Sequence, residues 1–200
     1  MQELPKAIKD AIEALSDLPG IGSRSAERLV FGLLKNESGL EKKIAHALQE
    51  LKEKIKECDQ CRNYCEGDLC SICQSTKRKT NVLCIVETPV DLIAIERTHT
   101  FTGLYHVLHG VISPLNKVSP EDLRIDSLMK QLEKNDFEEI ILATSGSTES
   151  EATALYLTNK LKPVFSGHIS RLSRGIPSGG DLDYLDIGTL TRAMSERREI

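Results

Sequence analysis

Apolar positions recur at helical spacing through the first quarter of the chain. Leu4, Ile8, Ile12 and Leu15 share one face of a helix, and Leu40, Ile44, Leu48, Leu51 and Ile55 share one face of another. Between them, Leu18-Pro19-Gly20-Ile21-Gly22 breaks the period, and a further helix is predicted from Ser23 to Leu34. Residues 1–57 thus read as helical. Periodicity stops across Cys58–Cys73 and the basic run Lys77-Arg78-Lys79, and a different pattern starts at Asn81. Val82–Glu87 is a continuous apolar run ending in a carboxylate, the pattern of a strand buried on both faces. Pro89–Glu96 is predicted as a helix. Ser119 offers an N-cap with Pro120 at the first position of a second helix. Glu138–Thr144 is a second buried strand, Glu149–Leu161 a helix, and Pro163–Ser170 a third strand. Strands alternating with helices predict a small parallel α/β sheet.

Composition narrows the function classes. Two hundred residues, 40% of them hydrophobic, can bury a sizeable core as one domain or as modules in series. No apolar run approaches the roughly 20 residues needed to span a bilayer, so no membrane partner is expected. The N-terminal stretch alternates charged and apolar residues, unlike a signal peptide, and the expected location is the cytoplasm. In a reducing compartment, clustered cysteine pairs favour metal over disulfides. A net charge of −4 argues against a protein that coats nucleic acid over its whole surface, so any such contact needs a local patch. With no Trp, four Tyr and four Phe, a base-stacking platform is not expected.

Leu18–Gly22 and its flanking helices resemble a helix-hairpin-helix. Gly20 and Gly22 allow a tight hairpin whose backbone N–H groups face a phosphate at the start of the next helix. Arg24 and Arg28 stand four apart, on one helix face beside it. Such a site reads the DNA backbone and not the bases. The alternative is a plain helical turn with solvated arginines. The cysteines form two matched pairs, Cys58-x2-Cys61 and Cys70-x2-Cys73. Four thiolates fill a zinc tetrahedron with no open position, so one structural Zn2+ per chain is expected. Cys65 is the spare thiol, and Cys84 is a small buried hydrophobe.

In the α/β part, Glu87 ends the first strand and Asp91 lies one helical turn on, while Glu149 and Glu151 follow the second strand. Ligands of open α/β sheets bind at that edge, where clustered carboxylates can hold Mg2+. The competing reading makes Thr148-x-x-Glu151 a capping box and Glu149 a partner of the helix dipole. His106 and His109 have metal-site spacing but no third ligand in the sequence, and are read as structural. The segment with Gly175, Pro177, Gly179 and Gly180 lacks the Gly-Lys-Ser/Thr ending of a phosphate-binding loop, and reads as a packed tail or subunit contact.

The order of these modules resembles the bacterial recombination mediator family RecR over essentially the whole chain. Leu18–Leu29, the cysteine pairs, Val86–Glu96, Gly103–Leu115, Ile141–Leu157 and Ser170–Asp186 carry the resemblance. It implies a multidomain fold of α+β and α/β parts. The parts are a helix-hairpin-helix over 1–56, a four-cysteine zinc finger over 57–79, a Toprim domain over 80–175 and a C-terminal region over 176–200 that packs on the Toprim domain or a neighbouring subunit. Enzymatic Toprim members resemble one another in a glutamate after the first strand and an Asp-x-Asp pair after the second. Here the glutamate position is Glu87 and the aspartate positions are Ser145 and Ser147. The resemblance therefore implies a non-enzymatic DNA-binding protein, with Glu87, Asp91, Glu149 and Glu151 as a vestigial or partner-binding acidic cluster. It further implies dimers or tetrameric rings that encircle DNA in the cytoplasm, at the nucleoid. With RecO and RecF these help RecA replace single-strand-binding protein. A Mg2+-dependent nuclease or primase-like enzyme and a plain protein adaptor are the rival classes.

Overall fold

The computed structural model describes residues 4–173, 176, 179–195 and 197. They fall into two compact units, Met1–Ile55 and Lys56–Ile200. Gly175 and Pro177 of the turn-rich segment lie outside the described residues.

The first unit is helical. Helices α1 (Lys6–Ser16) and α2 (Ser23–Lys35) pack against each other, with Ala26 and Val30 of α2 buried. α3 (Leu40–Lys54) follows Gly39, whose φ of 71° lies in the left-handed region that glycine adopts without strain. Among the described residues nothing buries the apolar stripe of α3: Leu48 is 58% exposed and Leu51 55%. The helical expectation for 1–57 stops short of its end. Lys56–Glu57 form a strand, β1, paired antiparallel with β2 (Tyr64–Cys65).

In the second unit, four parallel strands stand in the order β4-β3-β5-β6. They are β3 (Val82–Val86), β4 (Leu104–Val107), β5 (Glu139–Ala143) and β6 (His168–Arg171). Side chains alternate across the sheet. Leu83, Ile85, Leu104, Ile140 and Leu142 enter one core with residues of α6 (Ile125–Lys134) and α7 (Thr148–Leu161). Cys84, Val86, Tyr105, Val107 and Ala143 enter the other with Leu92 of α5 (Pro89–Glu96). Both faces are thus covered, which is why β3 and β5 read as unbroken apolar runs. Ile72 of α4 (Ser71–Gln74), in the cysteine segment, packs on the second core. A last helix, α8 (Ile187–Ser195), follows the turn-rich segment.

Three expectations need correction. The helix predicted to start at Pro120 starts at Ile125. Ser119 caps only a short 3-10 turn, Pro120–Asp122, because Leu123 is extended and the Arg124 N–H is drawn to the Leu108 carbonyl at 3.1 Å. β4 is absent from the predicted strands, and the sheet has four strands instead of three. The last strand begins at His168, beyond the Pro163–Gly167 stretch. Gly167 passes so close to the Glu138 carbonyl that a Cβ would lie 2.3 Å from its oxygen.

Where the chain leaves the cysteine segment, a polar cluster fastens it to the sheet. Arg78 pairs with both carboxylate oxygens of Glu96 and reaches the Phe101 and Gly103 carbonyls at 3.3 Å. The Tyr105 hydroxyl donates to Glu96 at 2.7 Å. Burial alone would raise the Glu96 pKa, but Arg78 and Tyr105 hold it below the ordinary carboxylate value. A depressed carboxylate contributes stability above its unfolded pKa, and that stability is lost as pH falls through the native value. Glu96→Gln should cost about 2 kcal/mol at neutral pH, the scale of hydrogen bonds to charged groups. Urea unfolding as a function of pH checks this, and the gap between variant and wild type should narrow in acid, below the ordinary glutamate pKa.

Candidate nucleic-acid interface and metal centre

Between α1 and α2 the chain turns at Leu18–Gly22. The Ile21 N–H donates to the Leu18 carbonyl at 3.0 Å, and Gly20, with φ of 83°, takes the left-handed conformation that completes the turn. Gly22 is the N-cap of α2 and offers no side-chain cap, and the first turn carries no acidic residue. The leading N–H groups of a 13-residue helix are therefore without a side-chain partner, at the positive end of its dipole. A Cβ built on Gly20 or Gly22 would meet nothing within 4 Å, so the space in front of these donors is open. Arg24 and Arg28 are both exposed on the first turns of α2. Backbone donors, helix dipole and two guanidinium groups thus stand together at one helix start.

Two tight turns bring the cysteines together. The Arg62 N–H closes the first on the Cys58 carbonyl, and the Gln74 N–H closes the second on the Cys70 carbonyl, both at 3.0 Å. The Cys70 N–H also points to the Cys58 sulfur at 3.3 Å. The sulfurs of Cys58, Cys61, Cys70 and Cys73 all lie within 4.8 Å of one another, and those of Cys61 and Cys70 are 3.5 Å apart. A tetrahedral zinc thiolate site, with Zn–S near 2.3 Å, needs about 3.8 Å between sulfurs. The donor set therefore fits zinc. Mutual hydrogen bonding divides the thiols: donation from Cys61 and Cys73 lowers the Cys70 pKa, and the same contacts push Cys61 and Cys73 up. Only a cation lets all four ionise together, so binding must release protons. Cys65 stands outside the cluster, its thiol donating to the Gly67 carbonyl at 2.9 Å. Cys84 is buried and its thiol is pushed up to about 12 by desolvation.

This knuckle is joined to the sheet by polar contacts. The Val107 N–H at the end of β4 donates to the Cys61 carbonyl at 2.8 Å, and His109 Nε2 to the Arg62 carbonyl at 2.6 Å. The Tyr64 and His109 rings meet edge to face at 5.2 Å. Arg124 forks onto Glu57, with nitrogen–oxygen distances from 2.7 to 3.2 Å, and holds the Glu57 pKa down. His106 is fully buried between Gln131 Oε1 at 2.7 Å and the Arg124 carbonyl at 2.8 Å, and desolvation lowers its pKa to about 4. Both histidines are structural.

At the carboxyl ends of the strands the acidic residues do not form one cluster. β3 and β5 are neighbours whose onward connections leave in opposite directions, the position where such sheets open a crevice. Glu87 sits there, 7% exposed, with both oxygens engaged. It accepts from the Ser145 N–H at 2.7 Å and the Ser145 hydroxyl at 3.0 Å. Asp91 turns away to cap α5, its Oδ2 accepting from the Thr88 N–H and hydroxyl at 2.9 and 2.7 Å. Glu151 is paired with Arg171 at 3.0 and 3.3 Å, and Arg171 also bonds Thr144. Glu149 lies in the first turn of α7. The cap of α7 is Ser147, which accepts from the Ser150 N–H at 3.1 Å, and not the expected Thr148. Spacing missed Arg171, the cation that pairs with Glu151, and the hydrogen bonds by which Ser145 holds Glu87.

Cys58→Ser or Cys73→Ser should lose zinc on gel filtration and lower the melting midpoint by roughly 10 °C, at 2–4 °C per kcal/mol for a chain of this size. Cys65→Ser should retain metal and melting temperature. Zinc content by atomic absorption and a thermal scan check both, and zinc affinity should fall as pH is lowered.

Comparison with known families agrees with this layout. Residues 8–52 match the model of the RecR helix-hairpin-helix, 55–75 that of the RecR four-cysteine zinc finger domain, 81–172 that of the Toprim domain, and 175–198 that of the RecR C-terminal region. Recombination protein RecR of Myxococcus xanthus is 43% identical over 196 residues, covering 98% of this chain and 99% of the relative. The Roseiflexus protein of the same name is 44% identical over 200 residues, with 100% and 97% covered. That of Streptomyces coelicolor is 45% identical over 191 residues, with 96% of each chain covered. A hairpin helix start, a four-cysteine knuckle and a parallel Toprim sheet, matched over full length at this identity, establish that the chain belongs to the RecR family of recombination proteins.

Proposed function

We propose that the protein is a DNA-binding recombination mediator in recombinational repair. It closes as a ring or clamp of identical subunits on DNA and acts with RecO and RecF to help load RecA on gapped or single-stranded DNA. The observation that carries the DNA contact is the start of α2. Its N–H groups have no side-chain cap, Gly20 and Gly22 leave open space before them, and Arg24 and Arg28 flank them. Phosphates bind there without reference to base identity. Self-assembly is supported by the uncovered stripe of α3, where Leu40, Ile44, Leu48 and Leu51 are all exposed. Convergence of Arg24 and Arg28 from several subunits lets a chain of net charge −4 hold a polyanion.

The chain is not an enzyme in this reading. Serine at 145 and 147 supplies no charge for a divalent cation. Ser145 instead satisfies both oxygens of Glu87, Ser147 caps α7, Asp91 caps α5, and Arg171 neutralises Glu151. The remaining acidic edge is a surface for partner proteins. The zinc is structural, one ion per chain, because four thiolates leave no position for water. Among the described residues no helix is long and apolar enough to cross a membrane, in keeping with a cytoplasmic, nucleoid-associated protein.

The test is charge reversal at the hairpin. Arg24→Glu/Arg28→Glu should weaken binding of single- and double-stranded oligonucleotides at least tenfold and flatten the salt dependence. Fluorescence anisotropy across a salt series reads this, with light scattering of the same samples reporting subunit number. Unchanged DNA retention at low salt would favour the adaptor class, and a strict monomer with and without DNA would remove the clamp. Nuclease or primer synthesis with Mg2+ or Mn2+, lost in Glu87→Gln, would restore the enzyme class.

A further inference from the structure

Arg62 is the residue whose side chain no contact so far explains. Its backbone is accounted for. The φ of 64° is left-handed, which costs a residue with a side chain, and it closes the Cys58 turn and presents the carbonyl that His109 reaches. The side chain is different. Its Nε is buried without a hydrogen-bond partner, and among the described residues the guanidinium forms no ion pair. The nearby carboxylate of Glu57 is taken by the fork of Arg124. A buried donor left unmade costs about 1–3 kcal/mol.

Arg62 lines a cleft of about 360 Å³ between the knuckle and α6. Lys130 and Lys134, one helical turn apart on α6, line it too, with the amide residues Gln60, Gln131 and Asn135 and a single carboxylate, Asp59. Three cations against one carboxylate leave a local charge of +2, from 3 − 1, on a chain whose net charge is −4. A guanidinium and two ammonium groups make up the cationic donor set that recognises phosphate, with the Gln60 amide beside them.

We propose that this cleft is a phosphate-binding site, and that the phosphate is a backbone phosphodiester of the DNA held in the proposed function, on which the assignment to DNA rests. The protein then carries one phosphate contact on each unit: the start of α2 in Met1–Ile55, and the Arg62–Lys130–Lys134 cleft in Lys56–Ile200. Arg62 adds its positive charge to the cleft wall, while its Nε stays buried from solvent. Asp59 opposes the bound anion and weakens the site.

The test uses the zinc-loaded full chain, with Lys130→Gln/Lys134→Gln, exposed positions on α6 outside the Arg62 turn, and, separately, Asp59→Asn, an exposed position within that turn whose zinc content is checked alongside. Each is made with the wild-type hairpin and with Arg24→Glu/Arg28→Glu. Anisotropy titrations with single- and double-stranded oligonucleotides over a salt series report the DNA arm. Lys130→Gln/Lys134→Gln should weaken binding about tenfold and reduce the slope of log K against log salt by roughly 0.7–0.9, one phosphate contact. Asp59→Asn should tighten binding severalfold. Inorganic phosphate should raise the melting midpoint of the hairpin variant, and this rise should vanish in Lys130→Gln/Lys134→Gln. Phosphate stabilisation with no change in DNA binding would overturn the DNA assignment and keep a free phosphate as ligand. Stabilisation by poly-glutamate but not by phosphate would overturn the proposal in favour of an acidic protein partner. Silence in every arm would overturn it outright. A silent hairpin reversal alongside weakened DNA binding in Lys130→Gln/Lys134→Gln removes the hairpin reading and leaves the cleft standing, whereas the converse removes the cleft alone.

Discussion

The Cys61 carbonyl accepts the Val107 N–H at 2.8 Å, and this bond ties the four-cysteine knuckle to the end of β4. Cys61 is held in place by the four-thiol cluster, so the end of β4 is fixed by a metal ligand and not only by its neighbour strand. The next residue, Arg62, is forced into a left-handed turn, which delivers its carbonyl to His109 and its side chain to the cleft beside α6. Arg124 and Glu57 close the same junction from the other side. Zinc coordination, sheet geometry and the position of the unpaired guanidinium are in this sense one constraint. Removing a ligand removes more than a local turn.

A second organising principle is charge compensation at the open end of the sheet. A parallel sheet covered on both faces leaves its backbone ends and polar side chains at the strand termini. In an active phosphoryl-transfer site those side chains keep enough negative charge to hold a divalent cation. Here each acid whose partners are described has another task. Glu87 is bound by Ser145, Glu151 by Arg171, and Asp91 by the first turn of α5. Glu87 and Asp91 keep their charge but have their oxygens held by hydrogen bonds, and only Glu151 has a cationic partner.

Much of this was legible in the sequence, and the exceptions have physical causes. Glycine spacing and helical period located the hairpin because both are local signals. The cysteine pairs located the knuckle, since two-residue spacing is what a turn around a metal demands. The apolar runs located β3 and β5 because they are buried on both faces. β4 escaped because Leu104–Val107 is short and carries Tyr105 and His106, polar groups whose partners, Glu96 and Gln131, are distant in sequence. The start of α6 escaped because Ser119-Pro120 is a genuine cap, for a turn that Leu123 then abandons. The acidic cluster looked larger in sequence than in space because Arg171 lies 20 residues beyond Glu151 and no periodicity links them. Arg62 carried no sequence signal at all, since its isolation follows from Glu57 being claimed by Arg124, a tertiary fact.

The start of α2 has one more consequence. Beside Arg24 and Arg28, its donors are backbone N–H groups, which survive every substitution short of proline and which make no distinction between one phosphate and another. A contact built this way is robust, and for the same reason it cannot choose an address. If the proposed DNA contact is made here, the helix start supplies grip without an address, and selectivity has to come from outside it.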